Sequence, residues 1–366
     1  MSSTPSLDAL APIVDGIVAP SAEEIDRTAA YPRAAVDALG KAGLLAPQTH
    51  RAAAEVVEEL ARNCASTAMV VLMHYAGAAV IAATGPTAVQ ARIAAGDYLT
   101  TLALSEKGSR SQFWAPLGSA RAGDDGSVSL DAEKSWVTSA GQANGYVWSS
   151  RPVASEGPST IWLVPSDARG LTVGAPFDGL GLRGNCSSPI TAKGVTVPAD
   201  AMLGPDGGGF DLMIGTVLPL FQVMTAAFCI GTMDAATAKA GQHAATTRLE
   251  HLDQSLADNL VVRSNVARMR VKTDSARALL ADTVNALETG RADALLRVLE
   301  VKAFAGEAAT EVTDLAMRVC GGTAFRRDFG VDRHFRDSRA ATVMAPTTDA
   351  LYDFIGRAAC GMELFG

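Results

Sequence analysis

The spacing of apolar positions changes twice along the chain. Between Tyr31-Pro32 and Gly40, and again over residues 52–62, apolar side chains recur at helical intervals, with Glu55, Glu58 and Glu59 on the wet face of the second run. From Pro86 to Pro219 the pattern shortens to alternation. Residues 98–106, 127–130, 146–149, 160–164 and 190–197 read as strands, and Asp124-Asp125-Gly126 as a turn between two of them. Helical spacing then returns. Leu256, Leu260, Met269, Ala276, Leu280, Val284 and Leu287 form one apolar stripe, closed by Gly290. Residues 292–320 repeat the pattern, and a further helix spans about 347–362. Proline agrees with this division: none of the 16 prolines lies between Pro219 and Pro346. That gap suits long helices, because an interior proline costs a helix about 3 kcal/mol.

The predicted fold class is therefore α+β. An N-terminal helical domain (1–97) leads to a central β-sandwich or barrel domain (98–208) and a C-terminal helical bundle (209–366). Helix pairs joined by short loops give such a bundle antiparallel neighbours.

Composition narrows the function. Apolar residues make up 48% of the chain and charged residues 19%, so disorder is excluded as the general state. The net charge of −8 gives no overall attraction to nucleic acid or anionic lipid. Cys64, Cys186, Cys229, Cys320 and Cys360 are scattered without a CxxC pair, which argues against a zinc knuckle or a disulfide framework. No secretory signal is legible at the start, and residues 218–231, the most apolar run, read as a buried helix too short to cross a bilayer. A cytoplasmic protein with no membrane or nucleic-acid partner is expected.

Three segments carry candidate chemistry. In the first, a strand enters a loop of small and hydroxyl residues through Leu104, Ser105, Glu106 and Ser111, where backbone N–H groups and Ser105 suit the polar edge of a flavin. In the second, Lys134, Trp136 and Thr138 lie on a strand. Strand geometry puts Trp136 and Thr138 on one face, an indole wall beside a hydroxyl; ordinary β packing is the alternative. The third runs from Cys320-Gly321-Gly322 through Arg336-Asp337 to Met344, Ala345, Pro346 and Thr347. Paired glycines at a helix end admit a close ligand, while Arg336 and Asp337 could equally serve a structural ion pair. The run Gly204-Pro205-Asp206-Gly207-Gly208-Gly209 lacks a strand–glycine–helix context and reads as a turn into the bundle.

In order and spacing, these segments resemble the signatures of the acyl-CoA dehydrogenase family over nearly the whole chain. Residues 102–112 resemble T-E-P-G-A-G-S-D, and 134–141 resemble K-x-W-I-T-N-G. Asp206 to Met213 resembles the G-x-G-F entry to the bundle, and 320–337 resembles G-G-x-G-F…R-x-x-R-D. The resemblance implies three domains ending in a four-helix bundle, bound FAD (FMN or a diffusing reduced flavin being alternatives), and a homodimer or homotetramer. It implies that Leu104 and Ser105 meet the pyrimidine end of the flavin, that Trp136 packs on the ring, and that Thr138 reaches N5. Arg248 would approach the pyrophosphate of a neighbouring subunit's FAD. Gly321 and Gly322 would border the adenine, Thr347 would bond the cofactor, and Ser111 would contact the CoA arm.

The chain departs from that pattern where a dehydrogenase removes a thioester α-proton. The usual glutamate position is Ala345, and the alternative site on the first long bundle helix maps near Phe221 and Gln222. Lys107, Gln112, Glu250, His251-Leu252 and Arg318 also differ from the family pattern, and a P-E-E-Y-G-G loop expected after Leu44-Leu45 is missing. His74 and Tyr75 fall on a helix that lines the family's substrate cavity. His74 is either a core histidine or an acid–base group, as in monooxygenases of the superfamily. Three functions remain open: a flavin oxidoreductase of an acyl thioester or related small molecule; an O2-dependent monooxygenase supplied with reduced flavin by a partner reductase; and a binding protein with a decayed flavin site.

Overall fold

The computed structural model describes residues 7–46, 48–109, 112 and 114–364. Helices α1 (Leu10–Ile13), α2 (Ala19–Thr28), α3 (Arg33–Lys41), α4 (His50–Asn63), α5 (Ala65–Thr84) and α6 (Thr87–Ala94) come first. Strands follow: β1 (Thr100–Ala103), β2 (Ser119–Ala122), β3 (Ser127–Val137), β4 (Gly145–Ser150), β5 (Thr160–Pro165), β6 (Leu171–Val173), β7 (Ser188–Pro198) and β8 (Met202–Leu203). The last part holds α7 (Gly209–Leu212), α8 (Leu218–Thr246), the small hairpin β9 (Arg248–Leu249) and β10 (Gln254–Ser255), then α9 (Leu260–Thr289), α10 (Ala294–Cys320), α11 (Val331–Ser338), α12 (Ala340–Val343) and α13 (Thr348–Ala359). The expected α+β class is borne out.

Local sequence sets several boundaries. The Thr49 hydroxyl accepts from Ala52 N to start α4, and the Asn259 side chain accepts from Val261 N to start α9. Gly290, at φ 64°, ends α9 in the left-handed conformation that suits glycine.

The strands form two four-stranded sheets, ordered β1-β4-β5-β8 and β2-β3-β7-β6. Tyr146, Trp148, Trp162 and Val164 fill the space between the sheets with Leu130, Ile190 and Val195. Their neighbours Val147, Ile161 and Leu163 face the other way and join the helical core. β4 and β5 are therefore covered on both sides, which ties the β domain to the helices.

Helix α8 is the axis of the bundle and packs on α4, α9 and α10. Gly231 permits the α4 crossing, since a Cβ there would stand 2.2 Å from the Glu58 carbonyl. Asp234 anchors the same crossing by pairing with Arg62 and Arg277. The expectation that the apolar run at 218–231 is too short for a bilayer is corrected. The helical stretch Gly209–Thr246, like α5, is long and apolar enough to span one. Most of both stretches is buried within the fold, so packing accounts for their composition.

Candidate active site

The first two signatures meet directly. Ser135 N donates to Ser105 O at 2.9 Å, placing the loop after β1 beside the end of β3. Below that contact Lys134 Nζ donates to Glu106 Oε1 at 2.6 Å, to Ser149 O and to Ser149 Oγ, while the other Glu106 oxygen accepts from Leu117 N and Gly118 N. Burial pushes the Lys134 ammonium down, and the Glu106 charge opposes that shift. The Ser149 hydroxyl also reaches Leu104 O, so Leu104 and Ser105 are held by backbone and buried charge together.

A bulge then re-aims β3. Its register against β7 slips between Lys134 and Val137, and Trp136 takes φ 55°. Its indole is 70% exposed, touched edge-on by Phe177 at 6.3 Å between ring centroids. Thr138 turns inward, buried, with its hydroxyl 3.2 Å from Ser187 Oγ. This corrects the expectation that Trp136 and Thr138 share one face. Strict alternation does not survive a bulge, and a bulky residue at positive φ marks strain of the kind found at functional sites.

The third segment joins through residues 181–187. Leu182 N donates to Asp337 Oδ1 at 2.6 Å, and a Cβ at Gly181 would lie 2.6 Å from the Arg336 carbonyl. Burial raises the Asp337 carboxyl to about 6, against the lowering effect of the Leu182 bond. Arg336 pairs with Asp26 of α2 and Asp332 of α11, so the structural reading of this arginine holds within the chain. Gly321 and Gly322 are exposed, and a Cβ at either would meet open space. Phe325, three residues on, is 84% exposed. Thr347 caps α13 by accepting from Ala350 N, and Trp114 meets Phe354 of α13 at 6.3 Å between centroids.

Other candidates lie elsewhere or are committed. His74 is fully buried: its Nε2 is 2.8 Å from Leu45 O, and its Nδ1 accepts from Thr100 N at 3.1 Å. Burial lowers its pKa, opposed by those two bonds. Tyr75 donates to Leu44 O, and burial pushes its hydroxyl up. Neither imidazole nitrogen of His74 is free in this structure, and both side chains bond the backbone at Leu44 and Leu45, which favours the core-histidine alternative. Arg248 stands on the β9–β10 hairpin, bonded to Asp253, with none of the three segments as its partner among the described residues. Ser111 lies outside the described residues. The glycine-rich run behaves as the expected turn: Asp206 accepts from Val153 N, Ala154 N, Ser155 N and Thr160 Oγ1.

One buried polar residue, Lys302, had no role in the sequence reading, and a second, Gln222, entered it only as a position that lacks a carboxylate. Gln222 on α8 is fully buried with neither amide atom partnered. Lys302 on α10 is 1% exposed and donates to the carbonyls of Met344 and Pro346. Periodicity could have flagged Lys302, because it falls on the apolar stripe with Val298, Val301, Ala305 and Ala309.

The residues present fit a flat aromatic cofactor. An indole stands out from a strained bulge, open space flanks paired glycines, and the nearly buried Thr348 hydroxyl has no protein partner. Comparison with known proteins agrees. Family models described as the N-terminal, middle and C-terminal domains of acyl-CoA dehydrogenase match residues 7–96, 101–195 and 207–360. The chain is 29% identical over 356 residues to the mitochondrial short-chain specific acyl-CoA dehydrogenase of Bos taurus, covering 90% of this chain and 83% of the relative. It is 28% identical to cyclohex-1-ene-1-carbonyl-CoA dehydrogenase of Geobacter metallireducens, covering 96% of each. The solved butyryl-CoA dehydrogenase of Megasphaera elsdenii superposes with a TM-score of 0.90 at 22% identity, over 97% of both chains, which shows the shared fold. The chain belongs to the acyl-CoA dehydrogenase family of FAD-dependent oxidoreductases.

Proposed function

We propose that this chain oxidises an acyl thioester with FAD and does so without a carboxylate at position 345. The carrying observation is the convergence of the three segments: Ser105 on Ser135, Thr138 on Ser187, and Leu182 on Asp337. In this reading Leu104 and Ser105 present the polar edge of the site. Trp136 packs on the ring, and Thr138 keeps hydrogen-bonding capacity beyond its Ser187 contact. Gly321 and Gly322 border the adenine, and Thr347 anchors the cofactor beside Ala345. Arg248 and Ser111 serve the pyrophosphate of a neighbouring copy and the CoA arm, in a homodimer or homotetramer. When bound, FAD supplies the hydride acceptor.

Ala345 cannot take a proton, and neither can the amide of Gln222. The α-proton therefore needs another acceptor, a water relayed to solvent or a basic group of the substrate itself, and this separates the chain from the family pattern. Ala345 also favours a second reading, the O2-dependent monooxygenase fed by a reductase. That reading lacks its acid–base group on α5, because both nitrogens of His74 are bonded to backbone.

The test is an anaerobic titration of the FAD-loaded chain with a panel of acyl-CoA thioesters. Bleaching of the flavin band supports the dehydrogenase reading. Consumption of O2 and NAD(P)H that requires an added reductase supports the oxygenase. A chain that takes up no flavin defeats both.

A further inference from the structure

We propose that Lys302 is a positioning residue, a clamp from α10 that fixes the turn carrying Ala345 and Thr347 against the flavin site. The inference rests on the reading just given. Its geometry is local and closed. Lys302 Nζ donates to Met344 O at 2.8 Å and to Pro346 O at 2.5 Å, so one amine brackets Ala345 from both sides. Thr347 follows at once and starts α13 through its hydroxyl. One helical turn along α10, Gly306 continues the same surface: a Cβ there would stand 3.6 Å from Thr342 Cγ2 and 3.7 Å from Thr348 Oγ1. The face of α10 at 302 and 306 is therefore the floor on which the α12–α13 connection rests.

Fold stability alone does not explain a lysine here. Among the described residues no carboxylate pairs with Lys302, and burying an unpaired ammonium costs several kcal/mol. An apolar residue on this stripe would pack at lower cost. It would also leave the carbonyls of Met344 and Pro346 without this donor, and buried carbonyls left unmatched are themselves costly. Two N–H groups of the amine meet the two carbonyls. Burial pushes Lys302 down to about 7. Its titratable neighbour Cys229 of α8 is pushed up to about 12 by its own burial and stays a thiol. Lys302 thus exchanges stability for one defined backbone path at the position where the family pattern puts its base.

The test compares the wild-type chain with K302M and K302R. Hydrogen exchange on the FAD-free protein reads the turn itself. In K302M the amides of Ala350 and Leu351, which bond Thr347, should exchange at least tenfold faster, while amides in β4 and β5 keep their rates. FAD titration and the spectrum of the bound flavin read the consequence. K302M should bind FAD at least tenfold more weakly, with a shifted absorption maximum, and K302R should recover part of both. Should K302M fail to fold, K302Q takes its place with the same readouts. Wild-type exchange at Ala350 and Leu351 together with unchanged FAD binding would overturn the clamp. If wild-type chain takes up no FAD, the functional reading falls, and the exchange comparison still decides the role of Lys302.

Discussion

Lys134 Nζ lies 2.6 Å from Glu106 Oε1, and neither side chain is more than 3% exposed. The pair joins the first signature to the second beneath the surface that Trp136 leaves. Every polar atom of the pair is engaged, through Ser149 on one side and the amides of Leu117 and Gly118 on the other. Such a pair costs much to break and little to replace as a unit.

K134M leaves the Glu106 carboxylate buried without its cation. Urea unfolding should show a loss of about 3–5 kcal/mol. The double variant E106Q/K134M should lose less than the two single variants added together, because the stranded charge is gone. A loss under about 1 kcal/mol in K134M would show that the pair carries no net charge interaction.

Trp136 should separate binding from folding. Its indole is 70% exposed and its φ of 55° is unfavourable for any residue with a Cβ. W136G removes little packing and relieves that conformation, so its stability should stay within about 1 kcal/mol of wild type. Its affinity for FAD should fall at least tenfold, read by fluorescence quenching. Equal FAD affinity in W136G would remove the indole from the cofactor site.

How much of this was legible before the structure depends on which force sets each feature. Boundaries written in local chemistry were readable, such as Gly290 ending α9 and the proline-free stretch before Pro346. The strands β2 and β6 were not, because Ser119–Ala122 and Leu171–Val173 are largely exposed and, at four and three residues, too short for their alternation to stand out. The bulge at Trp136 is imposed by register against β7, more than fifty residues away, and a single strand's alternation cannot report it. His74 was ambiguous for a related reason. Helix α5 is apolar nearly all round, so periodicity could not say whether the ring points to a ligand or to the carbonyl of Leu45.

Ala345 offers a gain-of-function test. The turn it occupies is held at both ends by Lys302, so A345E should place a carboxylate where the family pattern has one. A positioned general base contributes roughly 10²–10⁴-fold to a proton-transfer step. Anaerobic bleaching of bound FAD by a saturated acyl-CoA should therefore quicken at least tenfold in A345E, followed by stopped-flow absorbance. No change would mean that proton removal does not limit the reaction or that this chain's substrates are not simple acyl thioesters.

His74 makes a prediction about acid stability whose sign is fixed by burial. The ordinary imidazole value is 6.5, and the folded-state value lies below it because the ring is desolvated, in spite of its bonds to Leu45 and Thr100. Below pH 6.5 the unfolded chain binds a proton that the folded chain refuses, so stability falls as the pH drops. Each such group contributes a slope of up to about 1.4 kcal/mol per pH unit. His334 acts in the same direction, since burial lowers it too, helped by the charges of Arg333, Lys239 and Arg336. H74N should lower stability at pH 8 by about 1–3 kcal/mol, because Leu45 O and Thr100 N lose their shared partner. The same variant should show a shallower decline between pH 6.5 and 5, with His334 and His50, both lowered by burial, supplying a remainder that the raised Asp337 carboxyl opposes. Chemical denaturation at half-unit pH steps measures both effects. An unchanged acid slope in H74N would mean that the folded protein protonates His74 as readily as the unfolded chain does, and that the ring is more accessible than its two backbone bonds allow.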